Sequence, residues 1–271
     1  MIDGILAITI TAAILLGSLG LGRLSLGALP KNHVPQDSIV YLALKTGCGL
    51  AGMAFLIWGL GSLGFLNLVP AIIVILATVS IPKLWQTWRR AAARDSRQAD
   101  HHHRHHQPKP ILNRMLMTVL ILIAGATMLT TLYPHSHGDP LYYHLSAPWI
   151  WSRTGSIHFI DWMPWYLQGG LAEYLYAGIA AGSKDRMTLL LAGQMLHAAV
   201  GYGGSIALTV ALARKMLSET AERHELDEKF QFALALLAGI AMACFPSELF
   251  MLTHAKNDGF EIGIASCRER V

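Results

Sequence analysis

Charge is scarce in this chain. Only 14% of its 271 residues are Asp, Glu, Lys or Arg, against roughly 25% in soluble domains, while 53% are hydrophobic and the mean hydropathy is +0.42. So little charge cannot clothe a water-soluble globule, and so much apolar surface does not stay disordered. Cysteine is also sparse: Cys48, Cys244 and Cys267 show neither metal-ligand spacing nor a paired framework, which argues against redox chemistry. The alternation of apolar and polar residues that marks barrel strands is missing too. What remains is an all-α, polytopic bundle of transmembrane helices.

Apolar runs long enough to cross a hydrocarbon core of about 30 Å, which takes about 20 helical residues, recur at 4–29, 39–61, 65–82, 115–133, 187–212 and 230–252. This pattern predicts about six spans. The first run follows Met1-Ile-Asp-Gly, with no basic leader, and reads as a retained helix rather than a signal peptide. The stretch 168–182, LQGGLAEYLYAGIAA, is short, contains Glu173 and carries two tyrosines. It is expected to lie as an amphipathic helix at the outer interface rather than span.

The net charge of +4 does not point to nucleic acid, because eight of the 21 Lys and Arg residues lie between Lys83 and Arg114. Basic charge packed between apolar runs is an address for the cytoplasmic side. By parity the fourth span then exits at Tyr133 and loop 134–186 lies outside, with Arg153 its only Lys or Arg before Lys184. The return helix ends in Arg214-Lys215, which agrees. The run His101 to His103 with His105 and His106 has a metal-binding composition, but no acidic or cysteine ligands converge on it, and a solvated linker is the favoured reading.

Polar residues crowd at the outer mouth in two places. The first, from the end of the fourth span, reads TLYPHSHGDPLYYHLSAPWIWSRTGSIHFIDWMPWYLQGG. Here Asp139, between Gly138 and Pro140, serves equally well as a helix N-cap or as a site carboxylate, with Tyr143 one helical turn further on. The short helix LYYHLSAPWIW is expected to be interrupted at Pro148. Trp149, Trp151, Trp162, Trp165 and Tyr166 are expected to form an interfacial belt, with a wall for stacking sugars as the alternative. His135, His137, His144 and His158 lack the paired spacing with a Glu base that zinc hydrolases use. The second place is THAKNDG, where Lys256 and Asp258 follow the sixth span; a snorkelling lysine with a capping aspartate is the bland reading, and a cavity shared with Asp139 is the sharper one.

This order of an exit helix, an Asp-x-x-x-Tyr loop, a short helix ending in Gly, a Trp/Pro stretch, an interfacial helix, a polar segment with Arg and a basic-ended return helix resembles the GT-C superfamily of integral membrane glycosyltransferases. That superfamily includes the protein O-mannosyltransferases and bacterial aminoarabinose transferases. The resemblance covers about 115–259. It implies transfer of a sugar from a polyprenyl-phosphate donor to an acceptor outside the membrane, with inversion at the anomeric carbon. Asp139 and Asp258 would be the catalytic carboxylates. Tyr143, His144, Arg186 and Lys256 would bind substrate, with Arg186 on the donor phosphate. Pro140 stands where many members carry a second carboxylate, so no ligand set for a divalent metal is evident and the cofactor stays unassigned.

The expected parts are three N-terminal spans (1–84), a basic His-rich cytoplasmic loop (85–114), the start of a transferase bundle (115–260) and a tail (261–271). The tail, EIGIASCRERV, resembles a translated sequencing adapter and is expected to be non-native, so that activity belongs to a longer protein. Its partners would be the lipid-linked donor and membrane lipids, with no nucleic acid, and its place the inner membrane of a bacterium. A transporter or flippase and a non-catalytic membrane scaffold are the competing readings.

Overall fold

The structure, a computed structural model, describes residues 2–27, 38–102, 111–133, 144–161, 170–183, 185–224 and 227–244. Every regular element among them is helical: α1 (Ile2–Gly27), α2 (Ser38–Ser62), α3 (Val69–His102), α4 (Ile111–Thr130), α5 (Ser146–Thr154), α6 (Leu171–Ser183), α7 (Arg186–His197), α8 (Gly203–His224) and α9 (Glu228–Ala243). A single 3-10 turn, Leu66–Leu68, joins α2 to α3. A π turn, Ala198–Tyr202, makes α7 and α8 one continuous helix.

Four helices are long and apolar enough to cross a membrane: Ile2–Gly27, Leu44–Ser62, Ile111–Thr130 and Arg186–Glu219. They match the first, second, fourth and fifth expected spans. The third and sixth runs correspond to shorter apolar helices, Leu66–Pro82 and Phe230–Ala243, so four helices of spanning length stand among the described residues. α4 shows the inverted logic of a membrane helix. Its buried positions, Asn113, Leu120 and Thr127, recur every seventh residue as one narrow seam, while Ile111, Leu112, Met115, Ile121, Leu122 and Leu129 are exposed. In water that much bare aliphatic surface would drive aggregation; against lipid it costs nothing.

Two packed groups make up the bundle. In the larger, α1 lies against α2, α3 and α7, and α6 is enclosed by α2, α3 and α7. Gly22 meets the Lys45 carbonyl and Gly49 meets the Ser18 carbonyl, so α1 and α2 cross antiparallel with their backbones touching. Small residues at such a crossing let dispersion contacts form where lipid removes any hydrophobic drive. In the smaller group α4 and α9 run in parallel, both antiparallel to α8. The Tyr202 hydroxyl stitches the three together, donating to the Ala243 carbonyl at 2.7 Å and accepting from Thr127 Oγ1 at 3.4 Å.

The end of the bundle that carries the α2–α3 turn organises the site. Gly155 caps α5 in the left-handed region (φ 75°), and its N–H donates to the Trp151 carbonyl at 2.8 Å. Only glycine takes that conformation without strain. Its carbonyl accepts from Leu66 N–H at 3.1 Å, and Ile157 N–H donates to the Gly61 carbonyl at 2.9 Å. The far end of α5 is thereby pinned to the α2–α3 turn.

Several local expectations are corrected. Stretch 168–182 is not an interfacial helix: α6 buries Ala172, Glu173, Leu175, Tyr176, Ala177, Gly178, Ile179, Ala180 and Ala181, on all sides rather than one. Gly178 lies against Ile57, Val69 and Ile73, and Gly182 against Pro70, so the C-terminal end of α6 reaches the α2–α3 turn and its N-terminal end sits deeper. Pro148 does not interrupt a helix. It stands in the first turn of α5, where the missing N–H had no intrahelical partner to lose. Trp151 does not belong to a belt either; it is 3% exposed, stacks on Tyr174 and donates its indole N–H to the His158 carbonyl at 2.9 Å. The basic segment starts as helix rather than loop, since α3 continues through Pro82 to His102 along a run rich in the good helix formers Ala, Arg and Gln.

Candidate functional site

α5 and α6 rise side by side toward the α2–α3 turn, and their N-terminal ends meet inside the bundle. Gly193 of α7 has Leu145 and the Tyr176 ring for neighbours. It lies seven residues beyond Arg186, about 10 Å along the helix at about 1.5 Å per residue. Backbone at that depth is tolerated only where protein encloses it and its polar groups are satisfied. Glu173 supplies the satisfaction. At the third position of α6 its Oε2 accepts from Gly170 N–H at 2.7 Å, the backward half of a capping box.

The other carboxylate oxygen does something a cap does not require. Oε1 of Glu173 lies 2.7 Å from Nδ1 of His144, the residue just before α5. An ionised carboxylate only accepts, so Nδ1 is the donor of this contact, and in the neutral ring Nε2 is then an acceptor. The Glu173 side chain is 4% exposed and that of His144 19%. A buried carboxylate thus holds one nitrogen of a partly exposed imidazole.

Above this pair, α5 carries a cationic cluster. The guanidinium of Arg153 stacks over the Trp149 indole at 4.5 Å from the ring centroid, and that of Arg186 approaches the same ring at 5.2 Å. Arg186 opens α7, which is capped by Asp185: its Oδ2 accepts from Thr188 N–H at 2.7 Å. Two guanidiniums therefore share one indole ring as neighbours, and a guanidinium is the planar, bidentate donor suited to phosphate oxygens.

Of the residues expected at the site, His144 and Arg186 are therefore both brought to α5, one at its foot and one on its first turns. Asp139, Tyr143, Lys256 and Asp258 lie outside the described residues, as does the tail 261–271. Glu173 and Arg153 are the additions. Glu173 had a readable signal, a lone carboxylate within LAEYLYAGIAA; Arg153 had one too, as the only Lys or Arg of its loop before Lys184. Among the described residues no group of three or more His, Cys, Asp or Glu side chains is placed to hold a metal ion. No family model, no curated protein and no solved structure matches the chain.

Proposed function

We propose that this chain forms part of a membrane glycosyltransferase that moves a sugar from a polyprenyl-phosphate donor to an acceptor at the α2–α3 end of the bundle, the outer face. The observation that carries the reading is the Arg153–Trp149–Arg186 cluster at the end of a lipid-facing bundle. A polyprenyl phosphate has the matching chemistry, with an apolar tail for the exposed aliphatic flanks and an anionic head for the guanidiniums. In this reading Arg186 and Arg153 hold the departing phosphate, and Asp139, Tyr143, Lys256 and Asp258 serve the roles that the GT-C resemblance implies.

Two measurements test it. The complete protein, expressed from its native locus and placed in nanodiscs, should bind undecaprenyl phosphate, and Arg186→Ala with Arg153→Ala should weaken that binding at least tenfold; equal binding by the double variant removes the cluster from the proposal. Asp139→Asn and Asp258→Asn should each lower sugar transfer from undecaprenyl-phosphate mannose or undecaprenyl-phosphate aminoarabinose by about 100-fold or more, as loss of a group that positions or activates a reactant does. Unchanged transfer in both variants overturns their roles.

A transporter reading draws on one observation of its own. Gln194 and His197 are buried, at 1% and 0% exposure, within the Arg186–Glu219 span beside its π turn. Transporters place polar sites inside interrupted helices. Flux of lipid-linked sugar across a reconstituted bilayer with no covalent product would favour it.

A further inference from the structure

Glu173 is a costly residue at the end of a buried helix if capping is all it does. An N-cap Ser, Thr or Asp would satisfy the same N–H without placing a carboxylate among Leu175, Tyr176 and Ala177. What the carboxylate adds is its second oxygen on His144. A carboxylate on Nδ1 fixes the ring, sets the tautomer and stabilises the imidazolium that forms when Nε2 takes a proton, the arrangement by which hydrolases of unrelated fold prepare a histidine as a general base.

The place of the pair fits that use. His144 lies at the foot of α5, and Trp149, with its two guanidiniums, lies five residues further on, about 7.5 Å along a helix axis at about 1.5 Å per residue. The loop that carries Asp139 and Tyr143 runs directly into His144 in sequence.

We infer that His144 is the proton acceptor for the acceptor hydroxyl, and that Glu173 is the positioning residue that orients it. The inference rests on the glycosyl-transfer reading. In the step, the acceptor oxygen attacks the anomeric carbon and a new C–O bond forms. The bond from that carbon to the phosphate oxygen breaks, and its electron pair leaves with the polyprenyl phosphate. The hydroxyl proton passes to Nε2 of His144, and the resulting imidazolium is paired with Glu173 until the proton is lost to solvent. Asp139 is then free to hold the acceptor rather than deprotonate it.

The experiment uses the complete protein in nanodiscs, with undecaprenyl-phosphate mannose and undecaprenyl-phosphate aminoarabinose as donors, a membrane extract as acceptor pool, and release of undecaprenyl phosphate as the readout. His144→Ala should lower transfer about 100-fold or more, and added imidazole should restore it at least tenfold, which a purely structural histidine would not allow. Glu173→Gln should lower transfer about tenfold while leaving undecaprenyl phosphate binding unchanged. His144→Asn, whose amide can donate to Glu173 as Nδ1 does, guards against a folding defect and should still lose transfer. Transfer by His144→Asn within threefold of the wild type, or a His144→Ala loss that imidazole fails to repair, overturns the role of His144 while leaving the transferase reading intact. A wild-type protein that neither binds undecaprenyl phosphate nor releases it from either donor overturns that reading, and the proton-acceptor role falls with it.

Discussion

Gly49→Leu is expected to be the most damaging single substitution in the N-terminal part of the bundle. A Cβ at Gly49 would fall on the Ser18 carbonyl, and one at Gly22 on the Lys45 carbonyl. Both obstacles are backbone, so no side chain can swing aside to relieve them. α1 and α2 must move apart, and α1 is not free to move alone. It packs against α3, where Gly17 lies between Met53 and Leu76, and Thr11 Oγ1 donates to the Ala192 carbonyl of α7 at 3.3 Å. Overpacking of a well-filled interior costs about 1–3 kcal/mol, and with rigid obstacles on both helices the loss should lie at the upper end, about 3 kcal/mol. Gly52→Leu, on the same helix, is the internal control. Nothing lies within 4 Å of a Cβ built there, and a loss of no more than about 0.5 kcal/mol is expected. Apparent unfolding midpoints in mild detergent measure both, and equal midpoints would show that the crossing is looser than the packing implies.

The spans were readable for a simple reason. Crossing a bilayer demands length and apolarity, and both are visible in one dimension, so Ile2–Gly27, Leu44–Ser62, Ile111–Thr130 and Arg186–Glu219 coincide with four of the runs marked from sequence. Depth was not readable. A helix facing lipid and a helix enclosed by other helices are equally apolar, and its short length, Glu173 and two tyrosines made α6 look like an interfacial element. Its small residues were the better guide. Ala177, Gly178, Ala180 and Ala181 gain little from lipid but let Ile57, Val69 and Ile73 come close.

The same ambiguity hid half of the site. His144 and Arg186 stood out as polar residues in a loop, and the structure brings both to α5. Glu173 was treated as evidence against burial, since an isolated carboxylate is expensive inside protein. It is nevertheless buried, because Gly170 N–H and His144 Nδ1 lie on either side of it at 2.7 Å each. Pairing of that kind requires two segments that are 29 residues apart to meet, and no local pattern reports it.

That double use makes Glu173 the residue on which the two inward-reaching helices depend, and the clearest stability prediction follows from it. Glu173→Leu keeps the volume and the apolar surroundings but removes both acceptors, leaving a backbone N–H and an imidazole N–H without a partner. An orphaned buried donor costs about 1–3 kcal/mol. With one of the two on a ring that retains an open edge, a loss of about 3 kcal/mol is expected for the variant. Glu173→Gln should lose only about 1 kcal/mol, since its carbonyl oxygen can accept from Gly170 N–H while its NH2 donates to Nδ1 of the other His144 tautomer. The ordering matters more than the sizes. If leucine proved as stable as glutamate, the hydrogen bonds would contribute nothing that packing could not replace. Thermal midpoints of the three proteins in nanodiscs, with the near-ultraviolet circular dichroism of the buried Trp151 as a local report on α5, separate the outcomes.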